Sequence, residues 1–261
     1  MNTTAKKRKK STVITNIVII AAVAVLAYSL YNIIYIVGSN TESANIYNNL
    51  RNYTATEPAG ETTVEGDLNL VIDFDALKAM NEEVIGWIVV PGTVIDYPVT
   101  HTTDNSYYLG HSADRTENRA GAIFVDTLNQ PDFSDQNTIV YGHNMQSGAM
   151  FAGLHDFEDP GFFNEHEEIH LYTPDGLKHT YRIFSAFQTN AIGDTYTITF
   201  ADETAFNAYV ADAKGKSVAP RDVEVAYGDK MITLSTCVRG LSSKRYVLHG
   251  VLTSSEPVLK G

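Results

Sequence analysis

The pattern of hydrophobic and polar residues divides the chain into one long apolar run and a series of short alternating segments. Residues 13–37 contain no charged side chain, and nearly all of them are apolar. As an α-helix with a rise of 1.5 Å per residue, this run exceeds the roughly 30 Å hydrocarbon core of a bilayer. It is also longer than the apolar region of about 7–15 residues in a cleavable signal peptide. The run therefore predicts a membrane-spanning helix that stays attached to the protein.

The residues that flank this run predict its orientation. Positions 6–10 are all basic, and three tyrosines accumulate toward the far end of the run. Basic residues mark the cytoplasmic side of a membrane helix, and tyrosine is enriched at the membrane interface. No second run of spanning length follows, so we expect a single-pass protein. The predicted organisation is a cytoplasmic tail over 1–11, a transmembrane anchor over 12–38, an extracellular stalk over 39–66 and a globular domain over 67–261.

The globular domain is dominated by short segments with the two-residue period of β-strands. Helical patterns are limited to 73–80, where Asp73 is a candidate N-cap, and to 150–157 and 203–214. Turn signals such as Pro174-Asp175-Gly176 separate the strands. The predicted strands cover 84–90, 94–99, 122–125, 138–141, 169–173, 178–187, 231–236 and 246–252. Many short strands with little helix between them indicate a mainly β domain, either a barrel or a sandwich.

Charge and cysteine content narrow the classes of function. The net charge is −12, and the basic cluster at positions 6–10 leaves −17 on the rest of the chain. A nucleic-acid-binding protein needs a basic face, so this class is excluded. A single cysteine cannot form an internal disulfide. No clustered spacing of His, Cys and carboxylate residues suggests a metal site, and no cofactor is expected.

The one cysteine, Cys237, ends the predicted strand Met231-Ile232-Thr233-Leu234-Ser235-Thr236. A free cysteine is among the most buried residue types, so one interpretation is a core residue. The other is a nucleophile, which needs a base and a donor for the developing oxyanion. Of eight histidines, His143 is the strongest candidate because it follows a strand that ends in Tyr141-Gly142. Arg245 lies at the start of the last predicted strand, where the sheet would fix its position.

The order His, Cys, Arg excludes papain-like enzymes, in which the cysteine comes first. The chain instead resembles the sortase family over roughly residues 70–255. Sortases carry a Thr-Leu-x-Thr-Cys motif at the end of a barrel strand, which Thr233-Leu234-Ser235-Thr236-Cys237 matches. Their histidine follows an earlier strand, as His143 does, and their arginine lies on the next strand, as Arg245 does. The serine in the variable position and the helical segments at 73–80 and 201–214 are most similar to class B.

The resemblance implies a closed sortase-type β-barrel of about eight strands with short peripheral helices, in which 67–261 is the catalytic domain. It implies a cysteine transpeptidase that cleaves an LPxTG-like or NPxT-like C-terminal sorting signal of secreted proteins. Cys237 would form a thioacyl-enzyme, His143 would transfer protons, and Arg245 would hold the oxyanion or orient the signal. An amino group of a peptidoglycan precursor, lipid II, would complete the transfer on the outer face of a Gram-positive membrane.

The resemblance also implies residues of the substrate groove. They are Asn105, Leu109, Tyr141, Ser235 and Thr236. The alternative for these residues is packing within the barrel. Some class B members carry an acidic residue two positions after the cysteine, where this chain has Arg239, so any group that orients His143 must come from elsewhere. Two alternative functions stay open, a pilin polymerase that uses a lysine acceptor and a membrane-tethered binding domain without catalysis.

Overall fold

The computed structural model describes residues 3–56 and 70–258, with side chains over 15–54 and 70–258. The chain divides into two compact units, residues 1–44 and 45–261. The first unit is formed by helix α1 (Thr3–Leu50), whose last residues belong to the second unit. Residues Thr15–Tyr53 contain a helix long and apolar enough to cross a membrane, by length and composition. Apolar side chains such as Leu26 and Ile20 are exposed on it, as a membrane helix requires.

The second unit is built on a closed barrel of eight strands, which confirms the mainly β fold. The strands are β1 (Thr54–Thr56), β2 (Leu70–Ile72), β3 (Val84–Val89), β4 (Asp96–Thr100), β5 (Ile123–Val125), β6 (Asn137–Tyr141), β7 (Glu168–Tyr172), β8 (Leu177–Asn190), β9 (Met231–Val238) and β10 (Leu241–Pro257). The eight predicted strands all form, and they close in the order β10-β8-β7-β3-β4-β5-β6-β9. Neighbours in the barrel are antiparallel except β4 with β5 and β6 with β9.

Short helices surround the barrel. Helix α2 (Phe74–Met80) begins at the predicted cap, since the Asp73 carboxylate accepts a hydrogen bond from the backbone N–H of Ala76 at 2.9 Å. The segment predicted as a helix at 150–157 is a 3₁₀ helix, Phe151–Glu158. It continues into α3 (Pro160–Glu165), which the sequence did not predict. Helix α4 (Glu203–Lys216) covers one side of the barrel with Phe206 and other apolar residues.

The hairpin that joins β9 to β10 differs from the prediction. Strand β9 continues one residue beyond Cys237, and β10 begins at Leu241, five residues before the strand predicted over 246–252. Val238 pairs with Leu241, and Gly240 makes the turn with φ of +77°. Glycine adopts this left-handed conformation without steric cost. The ladder between β9 and β10 is irregular between Leu241 and Arg245.

Candidate active site

The parallel pairing of β6 with β9 brings Cys237 and His143 together. Tyr141, the last residue of β6, lies in register with Ser235 of β9. His143 follows Tyr141 by two positions, and Cys237 follows Ser235 by two positions. Because the strands are parallel, both residues lie beyond the same end of the ladder. On the other side of β9, Arg245 of β10 lies in register with Cys237. The barrel thus carries the three residues on three neighbouring strands or strand ends.

A groove of about 380 Å³ opens at this edge of the barrel. All eight residues named from the sequence line it, and so do residues that the sequence did not indicate. The lining residues are Asn105, Leu109, Phe124, Tyr141, Gly142, His143, Ala191, Tyr196, Ser235, Thr236, Cys237 and Arg245. Cys237 is partly exposed, whereas the preceding Ser235 and Thr236 are buried. The thiol therefore lies at the groove rather than inside the core.

Hydrogen bonds connect the end of β9 to the segment that carries His143. The Thr236 hydroxyl donates to the carbonyl of Gly142 at 2.8 Å, and the N–H of Gly142 donates to the carbonyl of Ser235 at 3.2 Å. Any side chain at position 142 would collide with its neighbours, since a Cβ atom there would lie 2.5 Å from the side chain of Ile123 and 2.6 Å from that of Phe151. Glycine at this position lets the chain pass close to the barrel before it presents His143.

His143 is oriented by a backbone carbonyl. Its Nε2 lies 2.8 Å from the carbonyl oxygen of Leu109. A carbonyl oxygen only accepts hydrogen bonds, so Nε2 carries the proton and donates it. The other ring nitrogen, Nδ1, is then the one that can exchange a proton with reacting atoms. The orienting group that the sequence left open is therefore the main chain of the segment that also provides Leu109 to the groove.

Arg245 is partly buried beside the cysteine. Its Nη1 donates to the carbonyls of Ser242 and Lys244 at 2.8 and 2.9 Å. These two bonds fix the end of the side chain against its own strand, and they leave Nε and Nη2 as donors for a ligand. A guanidinium held in this way is a preorganised donor for negative charge.

Asp126, a buried carboxylate that the sequence did not indicate, forms hydrogen bonds with the side chains of two predicted groove residues. It accepts hydrogen bonds from the Tyr141 hydroxyl at 2.9 Å and from Asn105 Nδ2 at 3.2 Å. The side-chain oxygen Oδ1 of Asn105 accepts a hydrogen bond from the backbone N–H of Thr127 at 2.9 Å. Burial, followed by the charge of Asp126, raises the pKa of the Tyr141 hydroxyl. Asn105 and Tyr141 therefore shape the wall of the groove.

Two more residues contribute to the site, and the sequence did not indicate them because their partners lie far away along the chain. The hydroxyl of Tyr196 lies 3.0 Å from that of Ser235. Burial raises the pKa of Tyr196, while the bond to Ser235 and the charge of Arg245 act in the opposite direction. His155 reaches the backbone carbonyl of Cys237 with Nε2 at 3.0 Å. No local pattern in the sequence marks either residue.

A metal ion has no evident site among the described residues. No group of three or more His, Cys, Asp or Glu side chains within residues 3–56 and 70–258 is arranged to hold one. The polar groups that line the groove are instead a thiol, an imidazole, a guanidinium, an amide and hydroxyls. These groups suit acyl transfer.

A closed barrel with a cysteine, a histidine and an arginine at adjacent strand ends defines a class of β-barrel cysteine enzymes. A family model described as the sortase domain matches residues 88–253, and the chain belongs to the sortase family. Sortases are cysteine transpeptidases. This membership favours the enzyme over the non-catalytic binding domain.

Sortases of class B are among the relatives with the same architecture. Sortase B of Listeria monocytogenes is 36% identical over 203 residues, which cover 76% of this chain and 80% of that protein. A Staphylococcus aureus sortase B–substrate complex matches with a TM-score of 0.65 and 32% identity, over 69% of this chain and 84% of the other. A sortase B complexed with triglycine matches with a TM-score of 0.64 and 32% identity, over 69% and 85%.

Proposed function

We propose that this sortase cleaves a C-terminal sorting signal, LPxTG-like or NPxT-like, on secreted proteins. It then joins the threonine carboxyl group to an amino group of a peptidoglycan precursor such as lipid II. The observation that carries the proposal is the convergence of Cys237, His143 and Arg245 on one open groove. The substrate complex of the similar S. aureus sortase B supports a peptide substrate. The triglycine complex of a similar sortase B supports a primary amine as acceptor.

In the first half of the reaction Cys237 is the nucleophile. Its thiolate attacks the carbonyl carbon of the signal threonine, and negative charge develops on the carbonyl oxygen. Arg245 stabilises this oxyanion, because its guanidinium is held beside the cysteine before the substrate arrives. The carbon–nitrogen bond breaks, and the departing amine takes a proton from Nδ1 of His143. A thioester between Cys237 and threonine remains.

In the second half the acceptor amine replaces the departed one. It attacks the thioester carbonyl while His143 accepts its proton, and the carbon–sulfur bond breaks to release the thiolate. Because Nε2 of His143 donates to Leu109, the ring keeps one orientation through both proton transfers. Donor and acceptor react in separate steps, so the kinetics are ping-pong.

The groove residues position the signal. Leu109 is 46% exposed and offers an apolar contact next to His143. The hydroxyls of Ser235 and Tyr196, which also line the groove, lie 3.0 Å apart. Asn105 and Tyr141 act through Asp126, which holds the segment that carries Leu109 against the end of β5. Thr236 fixes β9 to the chain before His143.

The membrane arrangement belongs to the same proposal. Residues 1–11 form a cytoplasmic tail, 12–38 cross the membrane, 39–66 form a stalk, and 67–261 form the catalytic domain outside the cell. The described residues 45–56 of this stalk belong to the same compact unit as the catalytic domain. The basic cluster at positions 6–10 supports this orientation, and the apolar helix supports the anchor. Part of the stalk, 57–66, lies outside the described residues. An outward-facing active site would meet both secreted proteins and lipid-linked wall precursors.

A panel of fluorogenic peptides tests this proposal. The peptides vary the first and last positions of the signal, and each is assayed with and without triglycine as acceptor. We expect cleavage of at least one peptide, with a joined peptide–glycine product only when triglycine is present. Loss of all cleavage in Cys237→Ala is expected as well. Cleavage of no peptide by the wild-type protein would contradict the assignment of the substrate.

A further inference from the structure

The most distinctive contact outside the groove joins His155 to the nucleophile. Nε2 of His155 lies 3.0 Å from the backbone carbonyl oxygen of Cys237. Because that oxygen only accepts, Nε2 is the donor. The same oxygen also accepts from Nδ2 of Asn144 at 2.9 Å, and Asn144 directly follows His143. The main chain of Cys237 is therefore held from two sides by side chains.

These two donors act where the sheet pairs with Cys237 on one side only, through β10. The last register pair between β9 and β6 is Ser235 with Tyr141, so Cys237 lies beyond the end of that ladder. On the other side, the ladder with β10 becomes irregular directly after the pair Cys237 and Arg245. With pairing on one side only and an irregularity beside it, the Cys237 peptide depends on these further hydrogen bonds for a fixed orientation.

The 3₁₀ helix that carries His155 is built to fix it. Three of its apolar side chains, Phe151, Leu154 and Phe157, are fully buried. Glu158, one turn later, contacts Nδ1 of His155 at 2.6 Å and sets the plane of the ring. The His155 side chain is 22% exposed, and its ring packs against Tyr246 of β10 at 5.3 Å. His155 is absent from the lining of the substrate groove.

We propose that His155, braced by Glu158, is a positioning residue that holds the Cys237 peptide and so aims the thiol at the groove. The proposal rests on the proposed role of Cys237 as nucleophile. His155 acts through the main chain and does not touch the substrate. Its removal should therefore slow the chemical step and leave substrate affinity unchanged.

The test compares His155→Leu, His155→Gln and the matched control His166→Leu. His166 makes the same kind of bond, from Nδ1 to the Phe162 carbonyl at 3.0 Å, and its ring stacks on Phe162. We expect His155→Leu to lower kcat about tenfold with KM unchanged, as small misplacements of reacting groups do. His155→Gln keeps a side-chain N–H donor and should restore most of kcat. His166→Leu should change stability alone.

A substrate-free measurement separates this proposal from the proposed function. The rate at which iodoacetamide alkylates Cys237 in the folded protein should fall in His155→Leu and recover in His155→Gln, whichever signal the enzyme reads. A wild-type kcat and alkylation rate in His155→Leu, or a loss confined to KM, would overturn the proposal. If His155→Leu does not fold, Glu158→Ala decides. A lower kcat at unchanged KM in Glu158→Ala supports the proposal that Glu158 holds His155 in place, and a wild-type kcat contradicts it.

Discussion

At the scale of single residues, the site depends on where the main chain holds each reactive group. Arg245 is fixed by two backbone carbonyls of its own strand, and His143 is fixed by the carbonyl of Leu109. Arg239, only two residues after Cys237, is exposed at the hairpin turn and does not line the groove. Two arginines close to the cysteine in sequence thus differ in the property that matters for catalysis, a fixed position beside the thiol.

Replacement of Arg245 by lysine should therefore reduce kcat/KM by about a hundredfold or more, the usual cost of an oxyanion donor. Lysine keeps the positive charge but cannot anchor one nitrogen on two carbonyls while it presents others to a ligand. Steady-state kinetics on a cleaved signal peptide check this result. Arg239→Lys is the matched control and should behave like the wild type. Equal activity of Arg245→Lys and wild type would contradict the role of Arg245.

The three proposed catalytic residues could be named from the sequence because each lies at the end or at the start of a recognisable strand. Cys237 and His143 come at the ends of apolar strands, and Arg245 stands near the start of another. Tyr196 and His155 could not be predicted in this way. Asp126 follows the predicted strand 122–125, but nothing in the sequence indicates its contacts with Asn105 and Tyr141. Tyr196 contacts a residue 39 positions away, and His155 one 82 positions away. Only the closed barrel brings these partners together.

At the scale of elements, the pair β6 and β9 is the frame of the site. Two threonines of β9 link this pair through their hydroxyls. Thr236 donates to the Gly142 carbonyl near the groove, and Thr233 donates to Asn137 Oδ1 near the other end of β6, both at 2.8 Å. Both side chains are buried. The two bonds are similar in length and burial and differ in their distance along the strand from His143.

Thr236→Val and Thr233→Val should separate stability from catalysis. Each removes one buried hydrogen bond, so each should lower the free energy of unfolding by about 1–3 kcal/mol. Only Thr236→Val frees the segment that leads to His143, and we expect about a tenfold lower kcat/KM in that variant. Denaturant unfolding and peptide cleavage, measured on both proteins, check the pair. Equal activity losses in both variants would count against this account of the frame.

Element boundaries were less predictable than the elements themselves. Strand β10 was expected at 246–252 and extends over Leu241–Pro257. Its first residues, including Ser242, Ser243 and Lys244, are polar and carry no strand signal, yet the hairpin with β9 and the pairing with β8 extend the strand. The sheet of β1 and β2 was missed because Thr54–Thr56 has no apolar alternation and lies within the segment predicted as a stalk. Tertiary pairing outweighs local propensity in both cases.

At the scale of the whole molecule, a buried polar network joins α4 to the barrel. His249 is fully buried, and its ring nitrogens lie 3.0 Å from the Ser185 hydroxyl and 3.1 Å from the Tyr209 hydroxyl. Tyr209 in turn donates to the carbonyl of Thr195, next to Tyr196 of the groove. Burial, with a smaller contribution from Lys216, lowers the pKa of His249 to about 3.

This network should make the fold sensitive to acid. An unfolded histidine titrates near pH 6.5, so below that pH the unfolded chain binds a proton that the folded protein excludes until about pH 3. The free energy of unfolding should therefore fall by about 1.4 kcal/mol per pH unit from His249 alone as the pH decreases through this window. In His249→Gln the slope of stability against pH should be shallower by this amount. Urea unfolding from pH 7 to pH 4 measures it, and parallel curves would contradict the prediction.

Closure of the barrel was the part of the whole fold that the pattern left open. Alternating strands fit a sandwich as well as a barrel, and the choice depends on which distant strands pair. The parallel pairing of β6 with β9 joins residues more than 90 positions apart. The same pairing brings the residues of the candidate active site together. The strand pattern therefore predicted neither the closure of the barrel nor the assembly of the site. The resemblance to sortases, rather than periodicity, pointed to the closed form.

The central claim is that Cys237 forms a thioester with the signal threonine, and the mass of the intact protein tests it most directly. The wild-type protein is mixed with a cleaved signal peptide in the absence of an acceptor amine and is then quenched in acid. We predict an added mass equal to the peptide up to its threonine, located on Cys237 and removed by hydroxylamine. Cys237→Ala should gain no mass and release no leaving peptide. Release of that peptide by Cys237→Ala at the wild-type rate would contradict the account.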